Sequence, residues 1–222
     1  IQSTIGSDAS YAQLYNDQFY ANAQRQVTYK DGSVVFVNPN ATAVVTSTTA
    51  GAVRAFVEAV RYPNREQGVG QMGLKEGHRG AHGAPTAAPI WGISTQEYLQ
   101  KADVWPLNPN GELLIGLKLE DKYALDNAEQ NLKVPGIAFA EWGPGDMALS
   151  LGVRGRGAEN DPRMVAARAK VFAACKANKI FFLNSMNEKN VIDMIKEGVM
   201  VGPASQAATE IGRKYTKRQM PW

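Results

Sequence analysis

Short apolar runs alternate with amphipathic segments along the second half of the chain. The apolar runs are LLIGLKLE (113–120), IAFAEW (137–142), KIFFLNS (179–185) and VMVG (199–202). Each is followed by a segment in which apolar residues recur at helical spacing, and TAVVTST (42–48) with the helical segment after it forms a similar unit upstream. This alternation predicts parallel strands covered by helices. About five strand–helix units result, typical of a (β/α) barrel or a doubly wound sheet, whereas a full barrel needs eight.

Two regions do not follow this pattern. Residues 1–41 are polar and Tyr-rich, and YKDGSVVFV within them is typical of a hairpin around Asp31-Gly32. Residues 63–112 form a Gly/Pro-rich connection with one short helix predicted at TQEYLQKA, and so long a connection usually forms a lid, a site loop or an oligomer contact. We therefore expect one barrel-like domain over 1–222, with a divergent N-terminal segment at 1–41 and a long insert at 63–112.

Composition narrows the class of protein. The 222 residues carry a net charge of +3 from 24 basic and 21 acidic residues, well mixed along the chain, which argues against a nucleic-acid partner. The single cysteine, Cys175, excludes an internal disulfide, and its position at apolar helical spacing predicts a buried, inert thiol. No apolar run approaches the roughly 18 residues of a membrane helix, and no signal peptide is visible. We expect a cytoplasmic protein with no membrane partner.

Two carboxylates lie where successive predicted strands end. Glu120 closes LLIGLKLE, and Asp146 follows IAFAEW across the short loop Gly143-Pro144-Gly145. Because parallel strands end at one edge of a sheet about 4.8 Å apart, these side chains should converge there. Two bare carboxylates repel each other, and a hard divalent cation such as Mg²⁺ or Mn²⁺ resolves the repulsion. The sequence thus predicts a metal site made by Glu120 and Asp146.

The loop before Asp146 has features of a ligand-binding segment. Glycines at 143 and 145 let a small ligand approach backbone N–H groups, and a helix beginning at this point would favour an anion. The alternative is structural, because an Asp before a helix is often only an N-cap and Glu120-Asp121 can simply start a helix. Spacing alone leaves both interpretations open.

Four segments resemble one family. GPGDMALSLG (143–152) resembles the G-P-A-D-L-S-x-S-x-G motif of the HpcH/HpaI aldolases, which include relatives of the citrate lyase β-subunit, and LKLED (117–121) resembles their metal-ligand strand Q-I-E. AVRYPNREQGVGQMG (59–73) is similar to their A-x-R-Y-P-P-x-G-x-R-G segment, and GVMVGPAS (198–205) to their last strand. The resemblance covers about residues 42–220, in order and spacing. It implies a TIM-barrel, divalent-metal-dependent lyase of 2-oxo acids, commonly a hexamer.

The resemblance also assigns roles. It implies that Glu120 and Asp146 hold the metal, Mg²⁺ or else Mn²⁺ or Co²⁺, and that the Gly143–Asp146 loop, including Pro144, binds substrate. The backbone at Gly145 would meet the substrate carboxylate. Lys118 falls where a substrate-contacting Gln is usual, and so adds a cation near an anionic ligand.

Two catalytic residues of the family have no counterpart. Its general-base His and its enolate-stabilising Arg should lie upstream, in the part of the chain that does not match. His78 and His82 are the only histidines, so one of them is the candidate base if the 63–92 loop folds over the site. The alternative is a pair of solvated loop histidines. Arg61 is a candidate anion contact, with an ion pair at the helix end as its alternative.

These observations predict an enzyme. The expected reaction is metal-dependent cleavage or formation of a C–C bond next to the pyruvate-type enolate of a 2-oxo acid, carried out by a carbon–carbon lyase that forms a homo-oligomer. A decarboxylase or acyl-CoA lyase of the same superfamily is one alternative. A barrel remnant that binds a metal and a 2-oxo acid without turnover is another, favoured if no base lies near Asp146.

Overall fold

A computed structural model describes residues 49–217 in full and the backbone of residues 11–15, 25–29, 34–37 and 42–46. The predicted turn at Asp31-Gly32 lies outside these residues. None of the described helices combines the length and the apolar character that crossing a bilayer requires.

One mixed sheet contains the described strands. They are β1 (Tyr11–Tyr15), β2 (Arg25–Tyr29), β3 (Val34–Val37), β4 (Thr42–Thr46), β5 (Val104–Trp105), β6 (Leu113–Leu119), β7 (Phe139–Trp142) and β8 (Phe181–Leu183). The order is β1-β2-β3-β4-β6-β7-β8, with β5 paired to the start of β6. Strands β1 to β4 pair antiparallel, whereas β4, β6, β7 and β8 run parallel, and a bridge from Leu183 to Val201 extends the parallel part.

Helices connect the parallel strands. They are α1 (Ala50–Val60), α2 (Ala84–Ala87), α3 (Thr95–Lys101), α4 (Lys122–Asp126), α5 (Ala128–Leu132), α6 (Pro144–Ser150), α7 (Pro162–Asn178), α8 (Val191–Glu197) and α9 (Gln206–Thr216). The predicted helix after β6 is two short helices that meet at Asn127. The predicted strand VMVG is reduced to the single bridge at Val201.

The two faces of β6 have different surroundings. Leu113, Ile115, Leu117 and Leu119 are buried in the core with the helices, because alternate strand residues point to one side. Leu114 and Lys118 point to the other side, the inner face of a partial barrel, where Leu114 is exposed and the Phe139 ring covers Gly116. A Cβ on residue 116 would lie 2.3 Å from that ring, so only glycine fits there.

Helix α7 shows what the apolar pattern does and does not specify. Asp161 caps it by accepting a hydrogen bond from the Arg163 N–H, and Pro162 occupies its first turn, where a missing N–H costs nothing. Its buried face consists of Met164, Ala167, Val171, Ala174 and Cys175. Val165, also apolar, does not belong to this face, since the residue is 56% exposed.

The parallel strands define two edges of the sheet. We call the edge where β4, β6, β7 and β8 end the carboxyl edge, and the opposite one the amino edge. Strand β6 has seven residues, so at about 3.3 Å per residue the edges lie on the order of 20 Å apart. This separation decides which predicted site residues can act together.

Candidate metal and substrate site

Glu120 and Asp121 follow β6 at the carboxyl edge and have different roles. The Asp121 carboxylate accepts hydrogen bonds from the N–H groups of Tyr123 and Ala124, both 2.8 Å long, and so caps α4. Capping is therefore complete without Glu120. The Glu120 side chain is buried, with only 7% of the residue exposed, and it lies against Gly143 at the end of the neighbouring strand. The alternative that these residues simply start a helix therefore holds for Asp121, and it does not explain the position of Glu120.

Asp146 does not cap a helix either. Helix α6 begins at Pro144, with Gly143 in the N-cap position and no side-chain cap, so Asp146 lies within the first turn. The helix begins two residues before Asp146 rather than after it, and the missing N–H of Pro144 costs nothing at the first helical position. The Asp146 carboxylate is exposed, at the carboxyl edge beside β6.

Gly143 makes room for the Glu120 carboxylate. A Cβ on residue 143 would lie 2.3 Å from Glu120 Oε2 and 2.7 Å from Glu120 Cβ, far inside an ordinary contact. A Cβ on residue 145 would meet nothing within 4 Å, so the two glycines of the loop serve different needs. Gly143 lets backbone and carboxylate approach each other, and Gly145 leaves its backbone open to a ligand.

Lys118 brings a positive charge into the same site. Its ammonium lies 3.0 Å from Glu120 Oε2, and on the neighbouring strands it is in register with Thr46 and Glu141. Burial acts to lower the pKa of Lys118, but pairing with Glu120 and the charges of Glu141 and Asp146 hold this pKa above its usual value. The cation thus stays protonated among three carboxylates.

Glu141 is the site residue that the sequence analysis missed. It is half-buried on the inner face of β7 beside Lys118, and burial raises the pKa of its carboxyl, an effect that Lys118 opposes and Glu120 reinforces. A signal for it existed, because Glu141 is the one charged residue in the apolar run IAFAEW. Only the strand register, however, shows that it lies opposite Lys118.

The donor set at this edge fits a hard divalent cation. Glu120 and Asp146 offer carboxylate oxygens, and the missing side chain at Gly143 lets the Glu120 carboxylate lie against the backbone of the loop that leads to Asp146. No group of three or more His, Cys, Asp or Glu residues able to hold a metal occurs within the described part of the chain. Two carboxylates, with the remaining positions left to water and substrate, are the arrangement that Mg²⁺ commonly accepts.

Arg61 lies at the amino edge, away from this site. Its guanidinium is fully buried and binds both carboxylate oxygens of Asp103, at 2.8 and 3.0 Å, as well as the Gln67 carbonyl oxygen at 2.6 Å. Burial acts to raise the pKa of Asp103, but the hydrogen bonds from Arg61 and Asn108 hold it below its usual range. The Asp103 carbonyl oxygen accepts from Leu113, the first residue of β6, which fixes the pair at the amino edge. The structure therefore corrects the expected anion contact to the structural ion pair.

Both histidines also lie away from the site. The His78 N–H donates to the Glu58 carbonyl oxygen in the last turn of α1, and the next N–H donates to the Arg61 carbonyl oxygen. His82 is in a turn whose first residue, Ala81, lines a cavity of about 390 Å³ together with Tyr62, beside Arg61. Both side chains are exposed at the amino edge. The expectation that the 63–92 loop folds over the carboxyl edge of its own chain is therefore wrong.

Comparison with known proteins agrees with this geometry. The family model HpcH/HpaI aldolase/citrate lyase matches residues 21–208. The chain belongs to the HpcH/HpaI aldolase/citrate lyase family. The match begins well before residue 42, where the recognisable motifs start, so part of the divergent N-terminal segment belongs to it as well. Members of this family are aldolases and lyases. No curated protein matches the chain significantly.

Solved structures of the family share the fold. An HpcH/HpaI aldolase/citrate lyase family protein from Burkholderia cenocepacia is 21% identical with a TM-score of 0.59. The match covers 80% of this chain and 63% of that protein's chain. An HpcH/HpaI aldolase from Desulfitobacterium hafniense is 20% identical with a TM-score of 0.54, and the match covers 81% of this chain and 64% of that protein. Macrophomate synthase is also 20% identical with a TM-score of 0.54, and the match covers 80% of this chain and 56% of that protein. The chain thus spans less than two thirds of their length. The predicted α/β, TIM-barrel-like fold, incomplete or divergent in its N-terminal strands, is confirmed.

Proposed function

We propose that this protein is a divalent-metal-dependent aldolase or lyase that cleaves or forms a C–C bond beside the pyruvate-type enolate of a 2-oxo acid. One observation carries the proposal: the buried Glu120 carboxylate lies against Gly143, a residue without a side chain, at the same edge as Asp146. Helix capping does not account for Glu120, because Asp121 already caps α4. A buried carboxylate at the same sheet edge as an exposed one is typical of a ligand site.

Each residue at the carboxyl edge has a task in this proposal. Glu120 and Asp146 hold the cation, Mg²⁺ or else Mn²⁺ or Co²⁺, whose chemistry is to stabilise negative charge that develops on the substrate. The Gly143–Asp146 loop borders the space for the substrate, and the open backbone at Gly145 faces its carboxylate. Lys118 supplies a further positive charge to an anionic ligand. We further propose a homo-oligomer, such as a hexamer, since soluble proteins cover open sheet edges.

Pyruvate release from a panel of 4-hydroxy-2-oxo acids tests the reaction. Release should require Mg²⁺, Mn²⁺ or Co²⁺ and should be lost in Glu120→Ala and Asp146→Ala. Asp121→Ala is the matched control, because it removes the neighbouring carboxylate and costs only a helix cap of about 1 kcal/mol. Equal losses in Glu120→Ala and Asp121→Ala would show that stability, not metal binding, is what these variants change.

One observation favours a second candidate. Its two histidines, His78 and His82, lie at the amino edge, so neither is placed to act as a base at the carboxyl edge. A protein that binds a divalent metal and a 2-oxo acid without turnover would have this feature. Metal-dependent binding of pyruvate, with no product from any substrate of the panel and no proton exchange at its C3, would support this second function over the first.

A further inference from the structure

Lys118 has two carboxylates within reach on the inner face of the sheet. Its ammonium lies 3.0 Å from Glu120 Oε2, two residues along the same strand. Glu141 lies directly across on β7, in register with Lys118, and parallel neighbours in register are about 4.8 Å apart. Within the described residues, the ion pair under 4 Å that Lys118 makes is with Glu120 and not with Glu141. The protein therefore contains an occupied and an alternative partner for one cation.

The occupied partner is also the proposed metal ligand. Glu120 Oε2 is both the oxygen that Lys118 contacts and the oxygen that lies against Gly143 in the loop before Asp146. An ammonium and a divalent cation repel each other and compete for that oxygen. Metal binding must therefore weaken or break the Lys118–Glu120 pair.

The displaced ammonium needs another anion nearby. The Lys118 side chain is only 26% exposed, so leaving it unpaired at a half-buried position is costly. Glu141 is half-buried on the same face and one strand away. Three acidic residues do not form a metal-holding group within the described residues, which argues against Glu141 as a third ligand of the same ion.

We propose that Glu141 is a positioning residue that takes over the Lys118 ammonium when a divalent cation binds Glu120, and that this exchange sets the metal affinity of the site. The inference rests on the proposed function, since it requires a metal at Glu120. In the exchanged arrangement Lys118 stays beside the cation and keeps a positive charge for an anionic ligand.

Direct Mn²⁺ titration of the purified protein, with free Mn²⁺ followed by electron paramagnetic resonance, tests the exchange without any substrate. Lys118→Gln removes the competitor and should strengthen Mn²⁺ binding. Glu141→Gln removes the alternative partner and should weaken it about five- to tenfold, the size of coupling between charged neighbours. In the Lys118→Gln background the same Glu141→Gln change should alter the affinity by only about twofold. Glu129→Gln, an equal charge change at the exposed pair with Lys133, is the control and should leave Mn²⁺ binding unchanged.

The double variant separates the possible results. If Glu141→Gln weakens Mn²⁺ binding equally with and without Lys118, Glu141 acts on the metal directly and the inference is overturned. Weaker binding in Lys118→Gln would also overturn it, because Lys118 would then not be a competitor. If parental protein and Glu120→Ala bind Mn²⁺ alike, the proposed metal site itself fails, and the exchange fails with it. Thermal unfolding of each variant without metal confirms that the comparison is made on folded protein.

Discussion

Replacing Gly143 with alanine should remove metal binding while leaving the chain folded. The added Cβ would lie 2.3 Å from Glu120 Oε2, about 1 Å closer than an ordinary contact, and 2.7 Å from Glu120 Cβ. The carboxylate must therefore move by about 1 Å, whereas metal–oxygen distances tolerate only about 0.2 Å. A misplacement of this size commonly costs about a hundredfold, so we expect at least that loss of Mn²⁺ affinity.

The same loop provides a matched variant. Gly145→Ala adds the same methyl group two residues away, where nothing lies within 4 Å, and should change Mn²⁺ affinity less than about twofold. Overpacking at residue 143 should cost about 1–3 kcal/mol of folding free energy, which lowers Tm but does not unfold a domain of this size. Isothermal titration with Mn²⁺ alone measures both variants. Parental affinity in Gly143→Ala would refute the argument that the empty space at this residue serves the Glu120 carboxylate.

Further predictions concern residues outside the metal pair. Asp103→Asn leaves the Arg61 charge buried without its partner and should lower the free energy of unfolding by about 3–5 kcal/mol in urea titrations. Because folding lowers the pKa of Asp103, its carboxylate contributes to the free energy of unfolding above the unfolded pKa, and this contribution is lost as pH falls through the folded pKa. Acid should therefore destabilise the parental protein more than the Asn variant. His78→Ala and His82→Ala should exchange C3 protons of pyruvate at the parental rate; a hundredfold fall in either would place the base across a subunit interface. Burial raises the pKa of the Cys175 thiol to about 12, so a disulfide reagent at neutral pH should label it only after unfolding, and rapid native labelling would contradict its burial. Sedimentation at micromolar concentration should show an oligomer, and a stable monomer would count against the proposal that another subunit covers the open edge of the sheet.

The sequence predicted the metal pair because that inference needs only local information. A buried run that ends in Glu120, and another that ends in a glycine loop before Asp146, place both residues at the carboxyl edge in any parallel arrangement of these strands. The apolar period and the turn residues determine where each strand ends. That both carboxylates bind one cation stays a prediction.

The partner of Lys118 could not be predicted, because it depends on strand register. Whether Lys118 lies opposite Glu141 or opposite a neighbour follows from the pairing of β6 with β7, and a slip by one residue would point Glu141 to the helix side. Which face of the sheet a single Glu in an apolar run lies on likewise depends on how the strands assemble. The sequence shows that residue 141 is charged but not which residue it faces.

The insert at 63–112 was misplaced for a similar reason. Its glycines suggested flexibility over the site, yet backbone bonds from His78 and Arg79 attach it to the end of α1 at the amino edge. The ion pair between Arg61 and Asp103 anchors both ends of the insert there. These contacts join residues 18, 20 and 42 positions apart, and composition contains no information on which edge a loop will reach.

Hydrogen–deuterium exchange at C3 of pyruvate, followed by NMR in D₂O, shows directly whether this protein forms an enolate at a bound metal, because the exchange needs no aldehyde partner. We expect exchange with Mg²⁺, Mn²⁺ or Co²⁺ that stops on chelation and is lost in Glu120→Ala and in Asp146→Ala. Asp121→Ala, which removes the adjacent carboxylate, should keep the metal-dependent exchange. Exchange that persists without metal, or that survives in Glu120→Ala, would contradict the assignment of Glu120 and Asp146 as the metal-binding pair of a 2-oxo acid lyase.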